Sequence, residues 1–454
     1  MDHTELRSQS DVYYSVEADS IVVSPTEGLV TANLALASPS DGTVAQTLDL
    51  TLSFYQNGIL RVLLEEPEVK RFRIAKDDLA PVVDEQLIPY DLTGKTTLDT
   101  ESSLFTIDDL SDNSESWSYT IGLDRFRIEQ LTESEERGKV RSLVVNPQDT
   151  LYYETEATVA SAATLNDKPH MYKAENGADI QQLKRQIDLD EGRDVYRKIP
   201  ESEAASLYGG VNRAIGMGFF MPSETLFGLG EREDTLVLKR TTGEVPYEMW
   251  AFDHRHAPDR INATYGSLPH VQGVDGQSSE AVTWMNAAHT YVFIDDLEME
   301  ETAGSHINFV SETGALELFL FSSTSVGRNG AMNRNQKLAQ DLATITGYVS
   351  LPPVQILGYH FSKYDYVSAE RIIERNKNFT EFKFPVDVLV MDIQWADQYT
   401  EEQMQEYFIF NPQNFTEEGL SQMNSAVKKA GRFMTTILDP HIKVSDDYFV
   451  YADG

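Results

Sequence analysis

The spacing of the apolar residues changes near residue 350, and this change limits what the chain can fold into. From about residue 28 to residue 156, apolar and polar residues alternate, which is typical of strands with one buried face. After residue 350, short apolar runs are separated by helical patterns, which is typical of parallel strands joined by helices. The sequence therefore predicts an antiparallel β-sandwich followed by an α/β unit.

A hairpin near residue 57 is the clearest part of the alternating region. Apolar residues stand at every second position on both sides of Asn57-Gly58, at Leu48, Leu50, Leu52 and Phe54 before it and at Leu60, Val62 and Leu64 after it. Asn-Gly tolerates the positive φ angles that tight turns of the primed type require. The pattern predicts two antiparallel strands joined by a primed turn at this pair.

Further alternating stretches and one polar segment set the predicted domain boundaries. Strands are predicted at 117–123, 126–128, 225–227, 283–285, 291–294 and 316–320. Residues 157–206 contain few aliphatic side chains and predict a long surface excursion with one helix over 179–187. We expect a sandwich over residues 1–325, a helical connection over 326–350 and the α/β unit over 351–454.

The α/β unit is predicted from alternating strand and helix patterns. Its elements are a strand over 354–360, a helix over 368–378, a strand over 386–391, a helix with Leu420, Met423, Val427 and Ala430 on one face that ends at Gly431, and a strand over 433–438. An open doubly wound sheet and a closed (β/α)8 barrel both fit this order. No glycine-rich G-x-G-x-x-G turn follows a predicted strand, which argues against a dinucleotide-binding sheet.

Composition excludes several classes of function. The 37 basic and 73 acidic residues give a formal net charge of −36, which repels nucleic acid and anionic lipid surfaces. The absence of cysteine removes disulfides, zinc-thiolate sites and cysteine nucleophiles. Because of this charge, nucleic acid binding is not expected. No apolar stretch of about 20 residues and no signal-peptide pattern is visible in the sequence, so membrane insertion is not expected either.

Two aspartates stand where an α/β enzyme places its functional groups. Asp392 follows the second predicted strand and is followed by Ile393, Gln394 and Trp395, whereas Asp439 follows the third strand and precedes Pro440-His441. Ligands bind at the carboxyl ends of parallel strands. A carboxylate beside a tryptophan suits a sugar, because carboxylates accept hydrogen bonds from hydroxyls and an aromatic face covers the apolar side of a pyranose. An equally good interpretation is that both aspartates cap the turns that follow the strands.

The histidines near this edge do not predict a metal centre. His360 and His441 lie far apart in the sequence and do not form an H-x-x-x-H pair. We therefore expect them to form hydrogen bonds, and we predict no metal and no cofactor.

Short motifs in a fixed order resemble landmarks of one enzyme family. They are Thr225 to Arg232 (TLFGLGER), Pro246 to Trp250 (PYEMW), Tyr265 to Pro269 (YGSLP), Trp284 to Ala288 (WMNAA), Leu351 to Pro353 (LPP), Leu357 to His360 (LGYH), Met391 to Ile393 (MDI) and Asp439 to Ile442 (DPHI). In this order and spacing they resemble glycoside hydrolase family 31, and within it the glucosidase II group.

This resemblance carries expectations about fold, activity and partners. It implies a galactose-mutarotase-like sandwich followed by the first strands and helices of a (β/α)8 barrel that is incomplete in this chain. It implies a retaining exo-α-glucosidase that removes terminal α-linked glucose, with the α-1,3 linkage favoured, from N-glycans. By resemblance, the enzyme would work in the endoplasmic reticulum lumen beside a regulatory β subunit.

The resemblance also implies binding residues, although it supplies no catalytic ones. Asp392 matches an aspartate that holds glucose hydroxyls, Ile393 matches its apolar neighbour, and Asp253 matches an aspartate that the sandwich inserts toward the site. Asp439 and His441 match a segment near the pocket. With Trp395, these residues form the predicted substrate-binding set.

The catalytic aspartates are expected downstream of residue 454, because no motif of the Trp-Asn-Asp-Met-Asn-Glu-Pro type occurs in the 454 residues. The chain also departs from the glucosidase II pattern, since Gln394-Trp395 replaces Glu-His and His254-Arg255 follows Asp253. These departures leave the linkage preference open. An inactive sugar-binding or scaffold protein of the same family is the alternative.

Overall fold

The computed structural model describes residues 13–37, 44–67, 69, 71, 73, 87–112, 115–134, 138–153, 155, 183–188, 193–198, 214–241, 246–251, 263–325, 332–365, 368–397 and 406–454. The chain divides into two compact units, Met1–Tyr348 and Val349–Gly454. The first unit is poor in helices, and the second contains both strands and helices.

The first unit is built almost entirely from strands. Those among its described residues are β1 (Tyr14–Val16), β2 (Val22–Ser24), β3 (Leu29–Ala37), β4 (Val44–Phe54), β5 (Leu60–Glu65), β6 (Thr96–Asp99), β7 (Leu104–Ser111), β8 (Ser116–Gly122), β9 (Arg127–Ser134), β10 (Gly138–Val145), β11 (Tyr152–Tyr153), β12 (Leu183–Asp188), β13 (Arg193–Lys198), β14 (Ile215–Met221), β15 (Leu226–Gly228), β16 (Tyr247–Met249), β17 (His270–Val274), β18 (Ser279–Trp284), β19 (Thr290–Met299), β20 (Thr302–Ser311) and β21 (Leu316–Ser323). One α-helix, α1 (Arg334–Thr346), and two short 3-10 helices, Ala18–Ser20 and Pro25–Glu27, complete the described part of this unit.

Two large antiparallel sheets confirm the predicted sandwich. One sheet has the strand order β1-β3-β4-β5-β21-β18-β17-β15, with β2 beside β3. The other has the order β16-β19-β20-β14-β10-β9-β8-β7-β6, with β11 beside β14. Residues of both sheets share one hydrophobic core, in which Trp117 and Trp284 are wholly buried. Apolar and polar residues alternate in the sequence because every second side chain of a strand points to the inner face of its sheet.

The hairpin around residue 57 forms as predicted, but its turn is of another type. Phe54 pairs with Leu60, and Gly58 alone of the Asn-Gly pair adopts a left-handed φ, 79°. A type I′ turn would need positive φ at both residues and a type II′ turn at the first of them, so neither forms here. The Gly58 amide donates to the Tyr55 carbonyl at 3.0 Å, which makes a type I turn followed by a left-handed glycine. Asn57 is fixed by a residue that does not belong to the hairpin, because its Nδ2 donates to Asp341 of α1 at 3.2 Å. A Cβ on Gly58 would clash with the Trp117 ring, which also requires glycine here.

The polar excursion is described only at β12 and β13, which pair with each other as an antiparallel ribbon. The helix predicted over 179–187 is therefore wrong where it overlaps β12. The strand is stabilised by pairing with residues 193–198, and a local helical pattern cannot reveal a partner that lies outside its own window. The rest of the excursion lies outside the described residues.

A buried carboxylate joins two arginines at the junction of β5 and β21. Glu317 is 2% exposed, and Arg73 binds it through two contacts, Nε to Oε2 at 2.6 Å and Nη2 to Oε1 at 3.0 Å. Arg61 on β5 donates to the same carboxylate from Nε at 2.7 Å. Removing the carboxylate would take the shared acceptor away from two partly buried guanidinium groups.

We expect Glu317→Ala to lower the free energy of unfolding by about 3 kcal/mol, the lower part of the range for a broken buried pair because both arginines keep some solvent contact. Urea denaturation of the chain, followed by tryptophan fluorescence, measures this. The control is Glu298→Ala at an exposed position of β19, for which we expect a change within about 0.5 kcal/mol. Equal effects of the two substitutions would contradict a stabilising role for the cluster.

The second unit alternates strands and helices. Its described elements are β22 (His360–Phe361), α2 (Ala369–Glu381), β23 (Val388–Met391), β24 (Ala396–Asp397), β25 (Glu406–Phe410), α3 (Glu417–Lys429), β26 (Phe433–Thr436) and α4 (Phe449–Asp453). Strands β22, β23 and β26 form a parallel sheet in that order, which confirms the predicted βαβαβ arrangement. Strands β24 and β25, which the sequence pattern did not predict, form a separate antiparallel ribbon.

Local sequence signals place the helices well and the first strand poorly. Ser368 caps α2 by accepting a hydrogen bond from the Arg371 amide at 3.3 Å, and Gly431 (φ 73°) follows the end of α3. The strand predicted over 354–360 is mostly wrong, because Val354–Leu357 is an exposed 3-10 helix and pairing begins only at His360. Within the described ranges, no helix is long and apolar enough to cross a membrane.

Candidate functional site

The carboxyl ends of β23 and β26 lie side by side in the second unit. Met391 pairs with Thr436, and the Ile437 amide donates to the Met391 carbonyl at 3.0 Å. Asp392 follows β23 directly, and its Oδ1 accepts a hydrogen bond from the Ile393 amide at 2.8 Å. This contact caps the 3-10 helix Ile393–Trp395, so the turn-capping interpretation of Asp392 holds. The half-buried carboxylate retains further lone pairs for other donors.

The carboxylate of Asp439, beyond the end of β26, is held by a residue that sequence reasoning missed. Tyr407 on β25 donates from its hydroxyl to Oδ2 of Asp439 at 2.7 Å. The Tyr407 ring is 1% exposed and meets the His441 ring edge-on, with 5.3 Å between centroids. The β24–β25 ribbon, which follows β23 in the sequence, therefore places the Tyr407 hydroxyl near the carboxyl end of β26. An aromatic run at 407–410 is the signal that could have indicated a buried strand there.

Two carboxylates make this edge electronegative. Burial, the hydrogen bond to Asp439 and the charges of Asp439 and Asp392 together raise the pKa of the Tyr407 hydroxyl above its ordinary value. Tyr407 therefore stays protonated near neutral pH and acts as a donor. An edge with two acceptor groups suits a neutral ligand that carries hydroxyls and disfavours an anion.

The Trp395 ring packs inside the unit. The side chain is 3% exposed, and its Nε1 donates to the Ile437 carbonyl at 2.8 Å. Its ring lies 5.9 Å from that of Tyr407 and 5.0 Å from that of Phe410. These contacts brace the strand ends, and direct stacking of a sugar on Trp395 stays a prediction. Ile393, next to it, is half-buried.

Two more polar groups lie at the same edge. Gln394 is 3% exposed, and neither of its amide atoms has a hydrogen-bond partner among the residues that the structure describes. The Nε2 atom of His441 is likewise buried and without a partner within the described ranges. Buried polar groups are normally hydrogen-bonded, so both side chains can bind a polar group that enters here.

Five of the six predicted site residues therefore lie on or near one edge of the parallel sheet: Asp392, Ile393, Trp395, Asp439 and His441. Tyr407 links several of them through its hydrogen bond to Asp439, its ring contacts with Trp395 and His441, and its proximity to the charge of Asp392. The sixth residue, Asp253, lies outside the described residues. Across the described parts of the chain, no group of three or more His, Cys, Asp or Glu side chains could hold a metal ion.

We expect Tyr407→Phe to loosen the ends of β23 and β26. The substitution deletes a hydrogen bond to a half-buried carboxylate, which is worth about 1–2 kcal/mol. Hydrogen exchange of the Ile437 amide, which bridges the two strands, should become about tenfold faster. Tyr451→Phe at an exposed position of α4 is the matched control. Unchanged exchange in Tyr407→Phe would show that the phenol does not hold this edge.

Each of the two units matches a domain of a known protein family. Residues 49–292 match the sequence profile of the glycosyl hydrolase 31 N-terminal galactose mutarotase-like domain. Residues 349–454 match that of the glycosyl hydrolases family 31 TIM-barrel domain. The chain belongs to glycoside hydrolase family 31. Its sandwich is the galactose-mutarotase-like domain, and its second unit is part of the family 31 barrel, as the sequence resemblance implied.

Individual relatives of this family 31 chain are consistent with that assignment. Neutral alpha-glucosidase AB of Dictyostelium discoideum is 30% identical over 247 residues, which cover 53% of this chain and 24% of that protein. A probable glucan 1,3-alpha-glucosidase of Arabidopsis thaliana is 25% identical over 451 residues, which cover 95% of this chain and 44% of that protein. The chain thus spans less than half the length of either relative.

A solved structure shares the fold. It is a complex of endoplasmic-reticulum glucosidase II that contains the catalytic subunit and the binding domain of the regulatory subunit. The likeness has a TM-score of 0.72 with 20% sequence identity, and it covers 99% of this chain and 46% of the matched chain. At this identity the comparison establishes the fold alone.

Proposed function

We propose that this chain is part of a retaining exo-α-glucosidase, in which it supplies the sandwich and a sugar-binding edge of the barrel. The observation that carries the proposal is the placement of Asp392 and Asp439, the second of them held by Tyr407, at the carboxyl ends of neighbouring strands in a family 31 barrel domain. Barrel enzymes assemble their active sites at this end of the strands. The residues at the edge are of the type that binds a sugar.

In this proposal the described residues bind glucose and do not perform the chemistry. The carboxylates of Asp392 and Asp439 accept hydrogen bonds from sugar hydroxyls, and Ile393 contacts an apolar part of the ring. Tyr407 fixes the Asp439 carboxylate, which reduces the conformational freedom lost on binding. Retaining hydrolysis needs a nucleophilic carboxylate and a carboxylic acid about 5 Å apart. We infer that both are supplied by residues beyond position 454.

The proposal also assigns a substrate linkage, a cellular compartment and a partner subunit. The similarity to a probable glucan 1,3-alpha-glucosidase favours α-1,3-linked glucose, and the similarity to a glucosidase II of the endoplasmic reticulum favours that compartment. N-glycans are the substrate that the sequence resemblance to the glucosidase II group implies. The similar glucosidase II is a heterodimer, which favours a regulatory subunit as a partner. The same glucose-binding residues would serve substrates with other α-linkages, because Asp392 and Asp439 would contact the terminal glucose rather than the next sugar.

The reaction is tested with the protein expressed from the full reading frame. Disaccharides of glucose with α-1,3, α-1,4 and α-1,6 linkages are supplied in turn, and proton NMR follows the first anomer released. The proposal expects α-glucose first, which is retention, with the α-1,3 disaccharide turned over fastest. Release of β-glucose would overturn retention, and preference for another linkage would overturn the linkage assignment. Binding of glucose without turnover would favour an inactive sugar-binding protein.

A further inference from the structure

An irregular segment connects β26 to α4 in the second unit. Residues 437–448 contain neither helix nor strand, yet the odd-numbered residues from 437 to 445 are half-buried and the even-numbered residues between them are exposed. Alternation of this kind is typical of extended backbone with one side against other atoms. We call residues 437–445 the strap.

The half-buried side of the strap contacts two adjacent residues of β25. Asp439 and His441 both contact Tyr407, the first through the phenol hydroxyl and the second through the ring. Lys443 is the next residue on this side, and its Nζ donates to Oε1 of Glu406 at 2.7 Å. Three successive inward side chains of the strap are therefore bound to β25.

The ion pair between Glu406 and Lys443 is largely shielded from solvent. The Glu406 side chain is 7% exposed and the Lys443 side chain is 22% exposed. Surface ion pairs contribute little, but removing one partner of a buried pair leaves a charge without its counter-charge and is strongly destabilising. Displacing the strap from β25 would take this lysine away from a buried carboxylate, so the pair favours the attached position.

The irregular segment is also fixed at both of its ends. At its start, the Ile437 amide donates to the Met391 carbonyl at 3.0 Å. At its end, Tyr448 is 0% exposed and its hydroxyl donates to the Tyr407 carbonyl at 2.6 Å. The Tyr448 amide closes a turn with the Ser445 carbonyl at 3.0 Å. A segment fixed at both ends and by an ion pair between them has few accessible conformations, which lowers the entropic cost of binding through its side chains.

We propose that Glu406 and Lys443 are positioning residues, whose ion pair fixes the strap on β25 and thereby holds Asp439 and His441 at the strand ends. The effect on sugar binding rests on the proposed function, because it requires Asp439 to contact glucose. The attachment of the strap does not rest on it. Neither Glu406 nor Lys443 contacts the sugar.

The kinetic test uses Lys443→Gln in the protein expressed from the full reading frame. A loosely held Asp439 binds the ground state and the transition state less well by the same factor, so KM for a chromogenic α-glucoside should rise about tenfold with kcat nearly unchanged. A purely structural loss would lower the folded fraction, and with it kcat, at constant KM. A fall in kcat with constant KM would therefore overturn the positioning role.

Three further variants show whether the effect belongs to the pair. Lys443→Arg keeps the charge and should recover most of the affinity. Adding Glu406→Gln to Lys443→Gln should raise KM little further, since both substitutions act through one contact. Lys428→Gln removes an exposed lysine of α3 and should leave KM unchanged. Multiplying effects of the two glutamine substitutions would show that the residues act independently and would overturn the pair.

Hydrogen exchange measured by mass spectrometry gives a readout that needs no activity. In Lys443→Gln, peptides that cover residues 437–448 should exchange roughly fivefold faster, whereas peptides from β23 should keep their wild-type rates. Faster exchange in a protein that hydrolyses no α-glucoside would overturn the proposed activity and keep the attachment of the strap. Hydrolysis by the wild-type protein, with unchanged exchange and KM in the variant, would keep the activity and overturn this inference.

Discussion

At about pH 9, the Glu280→Gln variant is expected to be more stable than the wild-type chain, although the two should be nearly equally stable at about pH 5. Glu280 on β18 is 0% exposed, and burial raises the pKa of its carboxyl to about 8 from 4.5. Hydrogen bonds from Ser278 and Ser223 and the charge of Arg334 oppose this rise, whereas the charge of Asp275 adds to it.

The sign of the effect follows from which state binds the proton. Between about pH 4.5 and pH 8, Glu280 is protonated in the folded chain and ionised in the unfolded chain, so the wild-type loses stability as the pH rises through this window. Glutamine stays neutral and avoids this loss. The stability difference between variant and wild-type should grow by roughly 4 kcal/mol from about pH 5 to about pH 9.

Urea denaturation at several pH values, followed by tryptophan fluorescence, measures this difference. Glu298→Gln, at an exposed position of strand β19, is the control and should follow the wild-type curve at every pH. A Glu280→Gln curve that also stays parallel to the wild-type curve would show that Glu280 is ionised in the folded protein at neutral pH.

The second large effect is expected at Asp392. In the full-length protein, Asp392→Ala should lower kcat/KM for an α-glucoside by about 10²- to 10³-fold, because in our proposal this carboxylate accepts charged hydrogen bonds from the glucose hydroxyls that are worth roughly 3–4 kcal/mol. Enzyme kinetics with a chromogenic α-glucoside measures this loss.

Asp392 also caps the 3-10 helix after β23, so the alanine variant alone would not separate binding from local structure. Asp392→Asn keeps a side-chain oxygen that can cap and loses only the charge. We expect it to fold like the wild-type and to lose about tenfold in kcat/KM. Asp453→Ala, at an exposed position of α4, should leave activity unchanged. Wild-type kinetics in Asp392→Asn and Asp392→Ala would remove Asp392 from the glucose site.

The parts of the fold that local patterns control were predictable. Alternation from Leu48 to Leu64 predicted β4 and β5, and the serine at 368 predicted the start of α2. Features that depend on a partner segment were not predictable. The turn at Asn57 is adapted to α1, which lies far away in the sequence, and β12 depends on pairing with the neighbouring strand β13. A periodic pattern read within one segment does not show what that segment pairs with.

The candidate site was predictable in position and incomplete in composition. Asp392 and Asp439 were found because a carboxylate after a buried parallel strand is a local signal. Tyr407 was missed because it enters on a ribbon that is not part of the repeating strand and helix order. The burial of Trp395 could not be predicted, because it depends on Tyr407 and Phe410 packing against the ring.

In our proposal, residues at the carboxyl ends of β23 and β26 bind the glucose of an α-glucoside, and other residues, outside this chain, supply the catalytic carboxylates. The most direct test is hydrolysis of a chromogenic α-glucoside by two purified proteins, this 454-residue chain and the product of the full reading frame. We predict turnover by the longer protein only. Turnover by the 454-residue chain itself would contradict the proposal and would make Asp392 and Asp439 the first candidates for the catalytic pair.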